Sequence, residues 1–182
     1  GARPDLYFAC DTQFMNDVKD QFATPVDVSL NQLVILVPKG NPQGVKSLKD
    51  LGKPGLKIGI GHEKQCALGV LTQETLRQSR VQEAVMKNVA VQTPTGDMLV
   101  NQMRTGSLDA VVAYISNAVY AADLLEPIAV DIPCALAVQP VAVGRESKRS
   151  NLADRLIEAI KSPESRKQFE NEGFRWKGTA AR

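Results

Sequence analysis

The run LVILV, residues 33–37, constrains this chain more than any other feature, being wholly aliphatic and closed by Pro38 and Gly40. A strand with one face in water alternates apolar and polar residues. This run does not, so it needs cover on both faces, as in the parallel sheets of α/β proteins. Shorter apolar runs recur at Leu6–Ala9, LKIGIG (56–61), DAVVAY (109–114) and PVAVGRES (140–147), with PIAVDIP as a further extended segment. Helical patterns lie between them. Asp11 or Thr12 caps one that runs towards Phe22, and SLKDL (47–51) is a short helical turn. Leu68, Leu71 and Leu76 share a face and predict a helix from near Cys66 to about Arg80. TPTGD (93–97) opens another, with Thr93 capping, Pro94 in the first helical position and Gly106 ending it. SNAVYAADLL reads as a helix, and two more close the chain. Leu152, Leu156, Ala159 and Ile160 line the first of these; the second runs from Ser162–Pro163 to Gly173. Strand and helix in alternation predict an α/β fold with mostly parallel sheets flanked by helices.

Composition removes several function classes. The 22 basic and 20 acidic residues are interspersed, and only 5% of residues are aromatic, so no nucleic-acid footprint emerges. Lys46–Lys53 and Arg145–Arg149 are diluted basic runs that read as solvated surface. Cys10, Cys66 and Cys134 are far apart, without the clustered spacing of a zinc site or the even count of a disulfide framework. No apolar run is long enough to span a bilayer. The opening GARPDLYFACD carries no secretory leader and is apolar by Leu6, which predicts that the chain begins partway through a domain.

The single histidine, His62, stands four positions before Cys66 in GHEKQCALGVL (61–71). A cysteine nucleophile needs an oriented imidazole, but both residues sit on one strand-to-helix turn with no third orienting group. GIGHEK lacks the ending of a P-loop and the full dinucleotide fingerprint. What remains is a strand, a turn and the start of a helix, whose first amides lack intrahelical partners and whose dipole favours an anion. TPTGDML offers a second such start, where Gly96 permits close approach, while Asp97 satisfies the dipole itself and would repel an anion if its side chain pointed inwards. Tyr114 ends a strand, where α/β ligand sites lie, and reads equally as a donor or an ordinary strand-end aromatic.

In order along the chain, GARPDLYFACDTQFM, NQLVILVPKGNP, the small-residue helix start in GHEKQCALGVLTQETL, TPTGDMLVNQMRTGSLDAVVAYISNAV and SPESRKQFENEGF resemble segments of the periplasmic molybdate-binding proteins of ABC importers. The resemblance implies the two-lobed type-II periplasmic binding protein fold. Residues 1–35 and 128–182 would form lobe 1, lacking an N-terminal strand–helix–strand, and 36–127 lobe 2. It implies a small oxyanion, molybdate or tungstate, held between the lobes by neutral donors, without cofactor, resident metal or catalytic residue. Carried over, the amides fall at Leu68, with Cys66 and Ala67 as near alternatives, and at Gly96, with the hydroxyl of Tyr114. Closure would hinge near Val34–Val37 and Pro140–Val143. The implied partner is an ABC importer permease, and the implied location periplasmic or extracytoplasmic, without membrane insertion. Gln65–Cys66 ahead of Leu68 departs from the Pro-Ala of familiar members. Sulfate, a phosphorylated or carboxylated metabolite, or ferric ion are rival ligands. A regulator's effector domain or a transferase is the rival from another class.

Overall fold

The computed structural model describes residues 3–178, so Gly1 and Ala2 of the opening motif lie outside it. In chain order the strands are β1 (Leu6–Phe8), β2 (Val26–Pro38), β3 (Ile58–Gly61), β4 (Val89–Thr93), β5 (Ala110–Tyr114), β6 (Leu125–Ala129), β7 (Leu136–Val143) and β8 (Arg175–Trp176). The helices are α1 (Thr12–Asn16), α2 (Ala67–Gln78), α3 (Gln82–Met86), α4 (Gly96–Arg104), α5 (Ile115–Ala118), α6 (Ser150–Ile160) and α7 (Pro163–Asn171). Two compact units result: one up to Asn31 and from Ala137 onward, the other Gln32–Leu136. The chain passes between them at Asn31–Gln32 and Leu136–Ala137. Val34–Val37 and Pro140–Val143, where the resemblance implies a hinge, lie in strands: Val34–Val37 is laddered to β6, and Val141–Val143 to β1.

The first unit is built on β1, β7 and the start of β2. Leu6 pairs with Val143 and Phe8 with Val141, antiparallel, while Ser29 and Leu30 take Trp176 and Arg175 of β8. Side chains alternate across this sheet. Leu6, Val28, Val141 and Val143 face Ile157, Ile160, Phe169 and Trp176, whereas Tyr7 and Ala142 face Phe14, Met15 and Phe22. Helix α1 starts as expected, with Asp11 accepting from the Gln13 amide at 3.2 Å. It stops at Asn16, and a 3₁₀ turn at Lys19–Gln21 replaces the continuous helix expected to Phe22. On α6 the expected face is corrected: Ala153 and Ile157 are buried, while Leu152 and Leu156 are 60% and 50% exposed. Ala153, Ile157 and Ile160 obey the same helical spacing, and of these Ile157 and Ile160, the latter part of the expected face, pack against the sheet.

In the second unit the strand order is β6-β2-β5-β3-β4. Here the LVILV run is central, and each residue is 4% exposed or less. Yet β2 runs antiparallel to both neighbours, Leu36 pairing with Val111 of β5 and with Pro127 of β6. Only β4-β3-β5 is parallel. The sheet is therefore mixed, not mostly parallel. An unbroken apolar run reports cover on both faces, and that cover does not depend on the direction of the neighbouring strands. α3 and β4 fill a stretch between Arg80 and Thr93 that the sequence reading leaves unassigned, although Val89, Val91 and Thr93 alternate.

Candidate functional site

Because β3, β4 and β5 are parallel neighbours, their carboxyl ends fall on one edge of the second unit's sheet, where Gly61 pairs with Thr93. Helices α2 and α4 begin just beyond β3 and β4, so their N-termini lie side by side. The His62 amide donates to Thr93 O at 2.8 Å and ties the two turns together.

Three glycines allow this closeness. A Cβ on Gly61 would stand 2.6 Å from Gly69 N, and one on Gly69 would stand 2.4 Å from the carbonyl carbon of His62. A Cβ on Gly96 would stand 2.4 Å from Asn117 Oδ1. Real Cβ atoms do not approach that near, so α2 and α4 seat their first turns where no side chain fits.

The expected donors divide. The Cys66 amide donates to His62 O at 3.1 Å, which removes it from the candidates. The amides of Gly69 and Val70 turn back to Cys66 O. Ala67 and Leu68 amides have no backbone partner among the described residues, as expected for the first helical positions. On α4 the cap is corrected. Thr93 remains in β4 and donates its hydroxyl to Thr95 O at 2.8 Å; Thr95, not Thr93, caps the helix by accepting from the Met98 amide at 3.3 Å. The first helical residue is consequently Gly96 rather than Pro94, and the Gly96 amide, like that of Asp97, has no backbone partner among the described residues. Tyr114 ends β5 with its hydroxyl oxygen buried, and its amide donates to Asn117 Oδ1 at 3.1 Å. Ala67, Leu68, Gly96 and Tyr114 therefore belong to one edge of one sheet. Sequence reading missed Thr95, Gly61, Gly69 and Asn117, the last signalled only by its place three residues after Tyr114.

The His62–Cys66 pair is occupied with the turn. His62 Nδ1 accepts from the Lys64 amide at 3.1 Å, and the Cys66 thiol lies 3.6 Å from His62 O and 3.7 Å from Thr93 O. His62 is half-buried. No group of three or more His, Cys, Asp or Glu among the described residues could hold a metal ion, and no described helix is long and apolar enough to cross a membrane. The edge offers neutral amide donors backed by two helix dipoles, an arrangement suited to an anion.

Known structures share this fold. The periplasmic molybdate-binding protein of Azotobacter vinelandii superposes with a TM-score of 0.73 at 16% identity, over 96% of this chain and 79% of that one. Sulfate-, ferric- and thiamin-binding proteins superpose with TM-scores of 0.67 to 0.76, so likeness of fold selects no ligand. In sequence, the chain is 29% identical to a binding protein of Haemophilus influenzae over 149 residues, 81% of this chain and 60% of that protein. It is 26% identical to the molybdate-binding protein ModA of Mycobacterium tuberculosis over 183 aligned positions, 96% of this chain and 66% of that protein. It thus spans less than two thirds of the length of the curated relatives it matches. The family model for bacterial extracellular solute-binding proteins matches residues 1–175, and the chain belongs to that family.

Proposed function

We propose that the chain captures a tetrahedral oxyanion, molybdate or tungstate, and delivers it to an ABC permease outside the cytoplasm. One observation carries this reading: two helix N-termini sit side by side at the carboxyl ends of adjacent strands, with the amides of Ala67, Leu68 and Gly96 left without backbone partners among the described residues. Such donors stabilise a dianion without a fixed positive charge, and each hydrogen bond to a charged group contributes about 1.5–3 kcal/mol. The Tyr114 hydroxyl is the proposed side-chain donor. The reading assigns capture and release, with no bond made or broken. The resemblance to molybdate-binding relatives supports the choice of anion.

Backbone donors recognise any small oxyanion, so sulfate or a phosphorylated or carboxylated metabolite is the second reading. Calorimetric titration with molybdate, tungstate, sulfate and phosphate decides between them. It should be run on this chain and on a chimera supplying the additional N-terminal residues of a molybdate-binding relative. Tight molybdate and tungstate binding with weak sulfate binding is the expected result. Binding of none of the four by either folded protein would overturn the oxyanion reading.

A further inference from the structure

Asn117 lies at the meeting point of three site elements: it is the third residue of α5, closes that helix's capping box back onto Tyr114, and also reaches the first turn of α4. Its Oδ1 accepts the Tyr114 amide at 3.1 Å, fixing the end of β5. Its Nδ2 donates to Asp97 Oδ1 at 3.0 Å, fixing a carboxylate in the first turn of α4. The same side-chain amide fills the space that a Cβ on Gly96 would need, 2.4 Å from Oδ1 and 2.8 Å from Nδ2. One planar group thus bridges the first turn of α4 and the backbone of Tyr114, the two elements that carry the proposed donors Gly96 N and the Tyr114 hydroxyl.

We infer that Asn117 is a positioning residue for the anion, and that it does so by latching the Asp97 carboxylate. Asp97 is the one acid in the first turn of α4. A carboxylate there competes with an anionic ligand for the same helix amides and repels a dianion. Held by the Asn117 amide, it stays engaged with a neutral donor. An amide suits the latch, because its carbonyl oxygen accepts from Tyr114 while its separate NH2 group donates to Asp97. It rests on the oxyanion reading proposed above.

The test is a charge-swap cycle titrated with molybdate and sulfate. In Asn117→Asp the acceptor for Tyr114 survives, but the donor is lost and two carboxylates face each other. Anion affinity should fall about tenfold or more, the usual scale for one charged hydrogen bond. In the double variant Asn117→Asp with Asp97→Asn the same contact re-forms with donor and acceptor exchanged, and affinity should return to within about threefold of the parent. An Asn117→Asp protein that binds as the parent does, or a double variant no better than Asn117→Asp, overturns the latch. If the parent binds no oxyanion, the proposed function fails separately, and amide hydrogen exchange judges the contact itself. Tyr114 should then lose protection in Asn117→Ala and keep it in Asn117→Asp; equal loss in both overturns the assignment.

Discussion

Gly61 and Gly69 touch backbone to backbone: a Cβ on the first would lie 2.6 Å from the amide nitrogen of the second, and 3.0 Å from its Cα. The start of α2 is therefore pressed onto the end of β3. Gly69 cannot take on a side chain without pushing α2 away from the His62 carbonyl. Gly69→Ala is expected to lower stability by about 1–3 kcal/mol, the range for forced overpacking, read by urea unfolding. An equally stable variant would mean that α2 lifts freely from the strand.

Tyr114 supplies the proposed side-chain donor. Removing its hydroxyl in Tyr114→Phe is expected to weaken oxyanion binding roughly ten- to a hundredfold, corresponding to about 1.5–3 kcal/mol. The melting temperature should move far less than the affinity. Unchanged affinity in calorimetry would take Tyr114 out of the site.

His62 makes the opposite prediction. Its ring serves the turn by accepting from the Lys64 amide, a task that an asparagine side chain two residues back performs equally well. His62→Asn should therefore bind molybdate with an affinity within the roughly 0.5 kcal/mol scatter of changes that remove no essential contact. A larger loss in titration would give the imidazole a direct part in holding the anion.

Asp50 contributes to acid stability near the start of the second unit. The Lys53 ammonium at 2.7 Å, with the Lys46 amide and the Ser47 hydroxyl, holds its carboxyl well below the usual carboxylate range. A depressed folded-state value stabilises the fold above the unfolded value of about 3.9 and loses that contribution as the pH falls further. Thermal melts of the parent should therefore drop more steeply than those of Asp50→Asn below about pH 4. Parallel curves would show that the Asp50 contacts persist in the unfolded chain.

The sequence carried the architecture well because its strongest signals were local. The Ser162 cap with Pro163 behind it and Gly106 at φ +71° each dictate one local conformation irrespective of distant partners, and the unbroken Leu33–Val37 run announces a strand covered on both faces. Where two patterns competed, reading alone could not choose. On α6, Leu152 with Leu156 and Ala153 with Ile157 have the same spacing, and only the sheet decides which pair is buried. TPT offers two threonines as caps, and the pairing of Thr93 with Gly61 reserves one for β4. Strand direction was illegible for a similar reason, since hydrogen-bond polarity leaves no mark on side-chain pattern. At the site, the helix starts were visible but the occupancy of their amides was not. The Cys66 amide is taken by His62 O, a contact set by the tightness of a turn that no residue type announces.

The amides of Ala67, Leu68 and Gly96 belong to the main chain, and main-chain groups have no codon of their own. Substitution can crowd them or tilt them but cannot delete them, short of proline. Outside Gly61, Gly69 and Gly96, the side chains of this edge can thus be exchanged while the same proposed donors are kept. Insertions and deletions are different: one residue gained or lost between Gly61 and Ala67 changes which amide arrives first at the end of β3. The length of that turn, more than its lettering, is the heritable quantity.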